Sequence, residues 1–103
     1  MPGKKFSVKV HQIYRLIVAV CDLELLGKKF EQDNLQLEVN EKFYKDKELD
    51  ETALLKLLKR SQQDDACFNF VGKNSIDIAS NLGLVDKNCV IEIQGIPHAM
   101  ALV

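Results

Sequence analysis

The chain has 103 residues, 47% hydrophobic and 28% charged, which is the composition of a small globular domain rather than of a disordered or fibrous chain. Its 14 Lys and Arg stand against 15 Asp and Glu, a net charge of −1, so the basic excess of a protein that lives by non-specific phosphate contact is absent. Cys21, Cys67 and Cys89 are too few and too far apart for a disulfide framework or a CxxC zinc pair, no secretory signal opens the chain, and the longest apolar run, Leu16 to Cys21, is far below the ~20 residues of a membrane span. The expectation is one domain over residues 1–103 with reduced thiols, cytoplasmic and outside the membrane, with no metal and no small-molecule cofactor.

In chain order, Phe6, Val8 and Val10 alternate with polar residues as in a half-buried strand, and Leu16 to Cys21 is a mostly β-branched run suited to a central strand. The two are expected to pair as a hairpin around Gln12 to Tyr14. Asp22 to Asn34 reads as a connection punctuated by Gly27, and Leu35, Leu37 and Val39 alternate as a third strand. Asn40 can cap a helical turn carrying Phe43 and Tyr44. Asp50 can cap a helix over 51–63, with Leu54, Leu57 and Leu58 on its buried stripe and Lys56, Lys59 and Arg60 toward solvent. A second helix starts at Gly72 to Asn74, buries Ile76, Ala79 and Leu82, and ends at Gly83, with Leu84 folding back over Ala79. Cys89 to Gln94 reads as a fourth strand, the Gly95-Ile96-Pro97-His98 segment as a break, and Ala99 to Val103 as a short fifth. The pattern predicts an α+β fold: a mostly antiparallel sheet of four to five strands, in the order β-β-β-α-α-β-β, with two helices packed on it.

Three places could carry chemistry. His98 follows a proline whose fixed φ would aim the imidazole, so it can serve as a general acid or base, or simply hold the C-terminal turn by a hydrogen bond. Cys21-Asp22 sits where the buried strand emerges; a nucleophilic thiol there needs a base such as His98, and otherwise Cys21 is a small hydrophobe. Gly27-Lys28-Lys29-Phe30 sets two cations beside a ring, suited to phosphates and a base, or to a solvated loop with Phe30 tucked inward. Of Phe43 and Tyr44 one should point outward and could stack on a partner, and Lys56, Lys59 and Arg60 make a modest basic face.

Several short blocks in order, Val18-Ala19-Val20-Cys21-Asp22, Leu25-Leu26-Gly27-Lys28-Lys29-Phe30, Leu37-Glu38-Val39 with Phe43-Tyr44, Asn69-Phe70-Val71-Gly72, Leu82-Gly83-Leu84-Val85-Asp86 and Gly95-Ile96-Pro97-His98-Ala99, carry a resemblance along the whole chain to the archaeal domain-of-unknown-function family 424. The chain departs from that family at Gln12-Ile13-Tyr14-Arg15, where members carry glycines, and at Ala66-Cys67-Phe68, where they are more aliphatic. The resemblance implies an α+β cytoplasmic protein with no assigned activity and an association with translation, and it carries over Cys21, Asp22, Gly27, Lys28, Asn69, Gly72, Gly95, Pro97 and His98.

Three functions follow as expectations. The first is a non-enzymatic accessory factor on the ribosome or structured RNA, using Lys28, Lys29, Tyr44, Lys56, Lys59 and Arg60; clustering of these cations on one side of the fold is what would favour it over the others. The second is a protein-interaction module, a homodimer through an edge strand at Ala99 to Val103. The third is a small enzyme built on Cys21, Asp22 and His98, which requires those side chains to converge in one cleft.

Overall fold

The alternation of the first strand builds β1 (Lys5–Gln12) and the β-branched run builds β2 (Leu16–Asp22), which pair antiparallel from Phe6 opposite Asp22 to Gln12 opposite Leu16. The computed structural model describes residues 5–12 and 14–101; Ile13, in the expected turn, and Leu102 and Val103, at the end of the expected fifth strand, lie outside the described residues. After a single 3-10 turn at Leu23–Leu25 come β3 (Lys29–Gln32), β4 (Leu35–Glu38), α1 (Glu41–Tyr44), β5 (Lys47–Asp50), α2 (Glu51–Gln63), β6 (Cys67–Val71), α3 (Lys73–Asn81), a 3-10 turn at Lys87–Cys89, β7 (Ile91–Ile93) and β8 (Ile96–Ala101).

Six strands form one sheet in the order β5-β1-β2-β6-β8-β7, and β3 with β4 forms a separate hairpin. The expected edge strand at Ala99 to Val103 is corrected, because β7 folds back along β8 and takes the edge, leaving Ala99 to Ala101 in an interior strand. Among the described residues every pairing is antiparallel except β2 with β6. The result is a small α+β domain with a mostly antiparallel sheet, as the sequence predicts, but the order is corrected to β-β-β-β-α-β-α-β-α-β-β. Strands β3 and β5 escape periodicity because each is four residues long and mostly exposed. Strand β6 escapes it because both its faces are covered: Phe68 and Phe70 enter one core cluster and Val71 the other, so no clean polar phase remains.

The helices are placed as their caps dictate. The Asp50 carboxylate accepts from the Ala53 amide at 2.8 Å, fixing the start of α2 where the sequence puts it, and Asn40 caps α1 by accepting from the Lys42 amide at 2.8 Å. Helix α3 ends with the Leu84 amide donating to the Ala79 carbonyl and Gly83 at φ +76°, the expected C-terminal motif. One face of the sheet packs Phe6, Val8, Val18, Val20, Phe68 and Phe70 against Leu54 and Leu58 of α2 and Ile76 and Ala79 of α3. The other face packs Ala19, Cys21 and Val71 under Leu37, Val39 and Tyr44, which α1, the β3–β4 hairpin and their links supply. Among the described residues no helix is long and apolar enough to cross a membrane.

The expected break at Gly95 to His98 is also corrected. Only Gln94 and Gly95 turn, at φ +53° and +77°, as a two-residue hairpin loop requires; Pro97 and His98 lie inside β8. Proline fits there because the Gly72 carbonyl, which an amide at residue 97 would otherwise seek, already accepts from the Ile76 amide at 2.9 Å in the first turn of α3.

Candidate functional site

The carboxyl ends of the parallel strands β2 and β6 lie side by side, and the chain leaves β6 through Gly72 straight into α3. In α/β proteins such a strand–glycine–helix corner offers free amides to an anion. Here Asp22 fills it. Its carboxylate accepts from the Ser75 amide at 2.8 Å, the Ser75 hydroxyl at 2.7 Å and the Asn74 amide at 3.1 Å. The contact requires Gly72: at φ +105° its backbone is open only to glycine, and a Cβ there would stand 2.6 Å from Asp22 Oδ2. Burial raises the Asp22 pKa above its usual value of 3.8, outweighing the bonds from Ser75 and Asn74 that favour the charge. Asp22, Gly72 and Ser75 thus make an internal latch between β2 and α3.

Cys21 precedes Asp22 on the strand and so points to the opposite face of the sheet. It is fully buried, and burial first, the neighbouring Asp22 second, push its thiol from 9.0 up to about 12, the reverse of what a nucleophile needs. In register Cys21 faces Val71 and Val71 faces His98, so Val71 stands between thiol and imidazole, two strand spacings or about 10 Å apart along the sheet. His98 is half-buried in β8, and burial lowers its pKa below 6.5. Cys21, Asp22 and His98 do not converge: Asp22 is on the α3 face, Cys21 under the hairpin, His98 near the β7 edge.

The structure splits the expected RNA contacts. Lys56, Lys59 and Arg60 are exposed on α2, above one face of the sheet. Lys28 and Lys29 lie at the β3–β4 hairpin, above the other; Lys29 pairs with Glu31 at 3.3 Å, and Phe30 is tucked into the core beneath. Gly27 is pinned, with φ +83° and its amide donating to the Val39 carbonyl at 2.8 Å. Tyr44 is corrected from a surface contact to a core residue, 5% exposed, its hydroxyl pushed by burial from 10.0 to about 12. The half-buried ring of the pair is Phe43, stacked on His11 with centroids 4.6 Å apart.

Asn69 is half-exposed in the middle of β6, opposite Met100 of β8. Met100 is 70% exposed and Ile91, opposite His98, is 52% exposed, giving an apolar strip on the hairpin side of the sheet. Sequence reasoning missed this strip, since its signal lies in the β7–β8 register and not in the composition of Ala99-Met100-Ala101. A cleft of about 430 Å³ opens on the other side between Lys73, Ile76 and Asp77 of α3 and Val90, Glu92 and Pro97. Among the described residues no three His, Cys, Asp or Glu side chains gather in a group that could hold a metal ion.

No curated protein matches the chain. Among solved structures it is similar to the crystal structure of an uncharacterized conserved protein from Methanopyrus kandleri, with a TM-score of 0.80 at 22% identity over 93% of this chain and 89% of that one, a likeness of fold. The model of the family described as Protein of unknown function (DUF424) matches residues 11–103, and the chain belongs to that family.

Proposed function

We propose that the chain is a non-enzymatic, cytoplasmic accessory protein that docks on the ribosome or on structured RNA through the outer face of α2. The observation that carries this reading is the set Lys56, Lys59 and Arg60: three cations at i, i+3 and i+4 spacing, all exposed, with no ion pair among the described residues. Lys28 and Lys29 stand on the opposite side of the sheet, so one rigid RNA surface meets one set or the other. The α2 set is favoured because Lys29 already has an acidic partner. The net charge of −1 counts against broad phosphate contact, so docking rests on this one small basic face, with protein neighbours supplying the remaining contacts.

The test is co-sedimentation with archaeal ribosomes across a salt series. Three phosphate contacts give a log–log salt slope of about −2 to −3. The triple variant Lys56→Glu/Lys59→Glu/Arg60→Glu should lose binding, and Lys28→Glu/Lys29→Glu should keep it. A wild-type chain that stays at the top of the gradient at low salt ends the proposal.

A second reading, a module that pairs with another protein chain, is favoured by the exposed Ile91–Met100 strip, which is uncharged and apolar where an RNA contact calls for cations.

A further inference from the structure

Of the five phenylalanines and two tyrosines, Tyr14 alone is exposed, and it is 100% exposed; every other ring is buried or half-buried. It stands at a second cleft, of about 440 Å³, lined by Gln12, Tyr14, Arg15 and Leu16 ahead of and at the start of β2 and by Asp64 and Asp65 after α2. The Arg15 guanidinium donates to the Asp65 carbonyl at 3.4 Å and ties the two segments together. Both aspartates are exposed, and among the described residues neither carboxylate is in an ion pair. The cleft lies at the end of the basic stripe. Lys56, Lys59, Arg60 and Gln63 follow one another down the exposed side of α2, and Arg60 stands one helical turn, about 6 Å, before Asp64.

We propose that this cleft takes one unpaired guanine of the RNA on which α2 docks, its ring stacked on Tyr14 and its Watson–Crick edge donating to the carboxylate of Asp64 or Asp65. The volume is at the lower end of the range of about 300–1,000 Å³ for small-ligand sites, room for a single nucleoside. An exposed ring is a platform for any base. The carboxylates make the choice. They only accept, and guanine alone presents two adjacent donors on that edge, N1–H and the N2 amino group; adenine, cytosine and uracil set an acceptor beside their donor, against a negative oxygen. The same two negative charges repel phosphate, so the base enters the cleft while the backbone passes over Arg60 and Lys59. Among the described residues no further acidic, histidine or cysteine side chain joins the two aspartates to hold a metal ion. The inference rests on the α2 reading and names the feature of the RNA that this end of the helix selects.

The test is fluorescence anisotropy at low salt with short oligouridines that carry one central guanine, adenine or inosine. The guanine oligomer should bind about tenfold or more tighter than the adenine one, with inosine, which lacks the N2 amino group, between them. Tyr14→Ala should weaken the guanine oligomer roughly 10- to 100-fold, and Tyr14→Phe should keep it. Asp64→Asn/Asp65→Asn removes two negative charges, which by charge alone strengthens RNA binding; the proposal requires instead that the guanine preference is lost while the adenine oligomer binds at least as well as before. Asparagine tolerates the left-handed backbone at Asp65, φ +58°, so this variant keeps the fold. Equal affinity for the guanine and adenine oligomers overturns the proposal, and so does a Tyr14→Ala variant that binds as the wild type does. Guanosine monophosphate bound as tightly as the guanine oligomer also overturns it, since a free nucleotide is then the ligand. Ribosome co-sedimentation separates the two readings. A wild type that sediments with ribosomes but binds the oligomers without preference loses the guanine site and keeps α2 docking; one that prefers guanine but stays off the ribosome loses ribosome docking and keeps the guanine site.

Discussion

Asp22 occupies the place where a phosphate sits in a phosphate-binding corner, in front of the first amides of a helix and at the end of a strand. Because it is 3% exposed and satisfies three donors, Asp22→Ala leaves buried groups unpaired and should lower stability by about 2–4 kcal/mol in urea unfolding. Gly72→Ala should cost about 2 kcal/mol or more, from a strained φ and the collision with Asp22. The double variant should cost less than the sum, because removing the carboxylate relieves the collision; additive losses would argue against the latch.

Titration of the buried groups gives a pH signature with a fixed sign. Cys21 and Tyr44 have folded pKa values raised to about 12 from 9.0 and 10.0. Their contribution is present below the unfolded values and is lost as pH rises toward about 12, because the unfolded chain ionises first. The urea midpoint should therefore fall between about pH 9 and 12, and Tyr44→Phe should flatten the part of the fall above pH 10. His98 acts on the acid side: its folded pKa is lowered from 6.5, so its contribution is present above that value and is lost as pH falls through the folded one. A thiol reagent should label exposed Cys89 first and fully buried Cys21 only on unfolding.

At the scale of elements, what was legible in the sequence is what local chemistry decides. Asp50 and the leucine stripe fix α2 to the residue, and Asp50→Ala should cost about 1 kcal/mol. The period-2 run of β1 and the β-branched run of β2 are equally plain. The parallel pairing of β6 with β2 was not legible: it joins Ile17 to Cys67 and Cys21 to Val71 across a long crossover, and only tertiary packing selects it. Pro97 misled in the same way, because the Gly72 carbonyl that excuses its missing amide is far away in sequence. The β7–β8 turn offers a positive test. Gln94 holds φ +53° before Gly95, a position asparagine adopts more readily, so Gln94→Asn should raise stability by up to about 1 kcal/mol.

At the scale of the molecule, the sheet divides the candidate site residues. The basic character of Lys56, Lys59 and Arg60 was legible from helical spacing, but their separation from Lys28 and Lys29 was not, since it depends on α2 and the β3–β4 hairpin packing on opposite faces. The same division pulls Asp22 away from Cys21, and Val71 holds Cys21 from His98, so residues adjacent in sequence or in motif end up with separate structural duties. The central claim is that the α2 face meets the ribosome. Its most direct measurement is amine-reactive labelling of the lysines, read residue by residue with and without archaeal ribosomes. The account predicts that Lys56 and Lys59 become protected while Lys28 and Lys29 label as in the free protein; protection of the hairpin pair with α2 still reactive would contradict it.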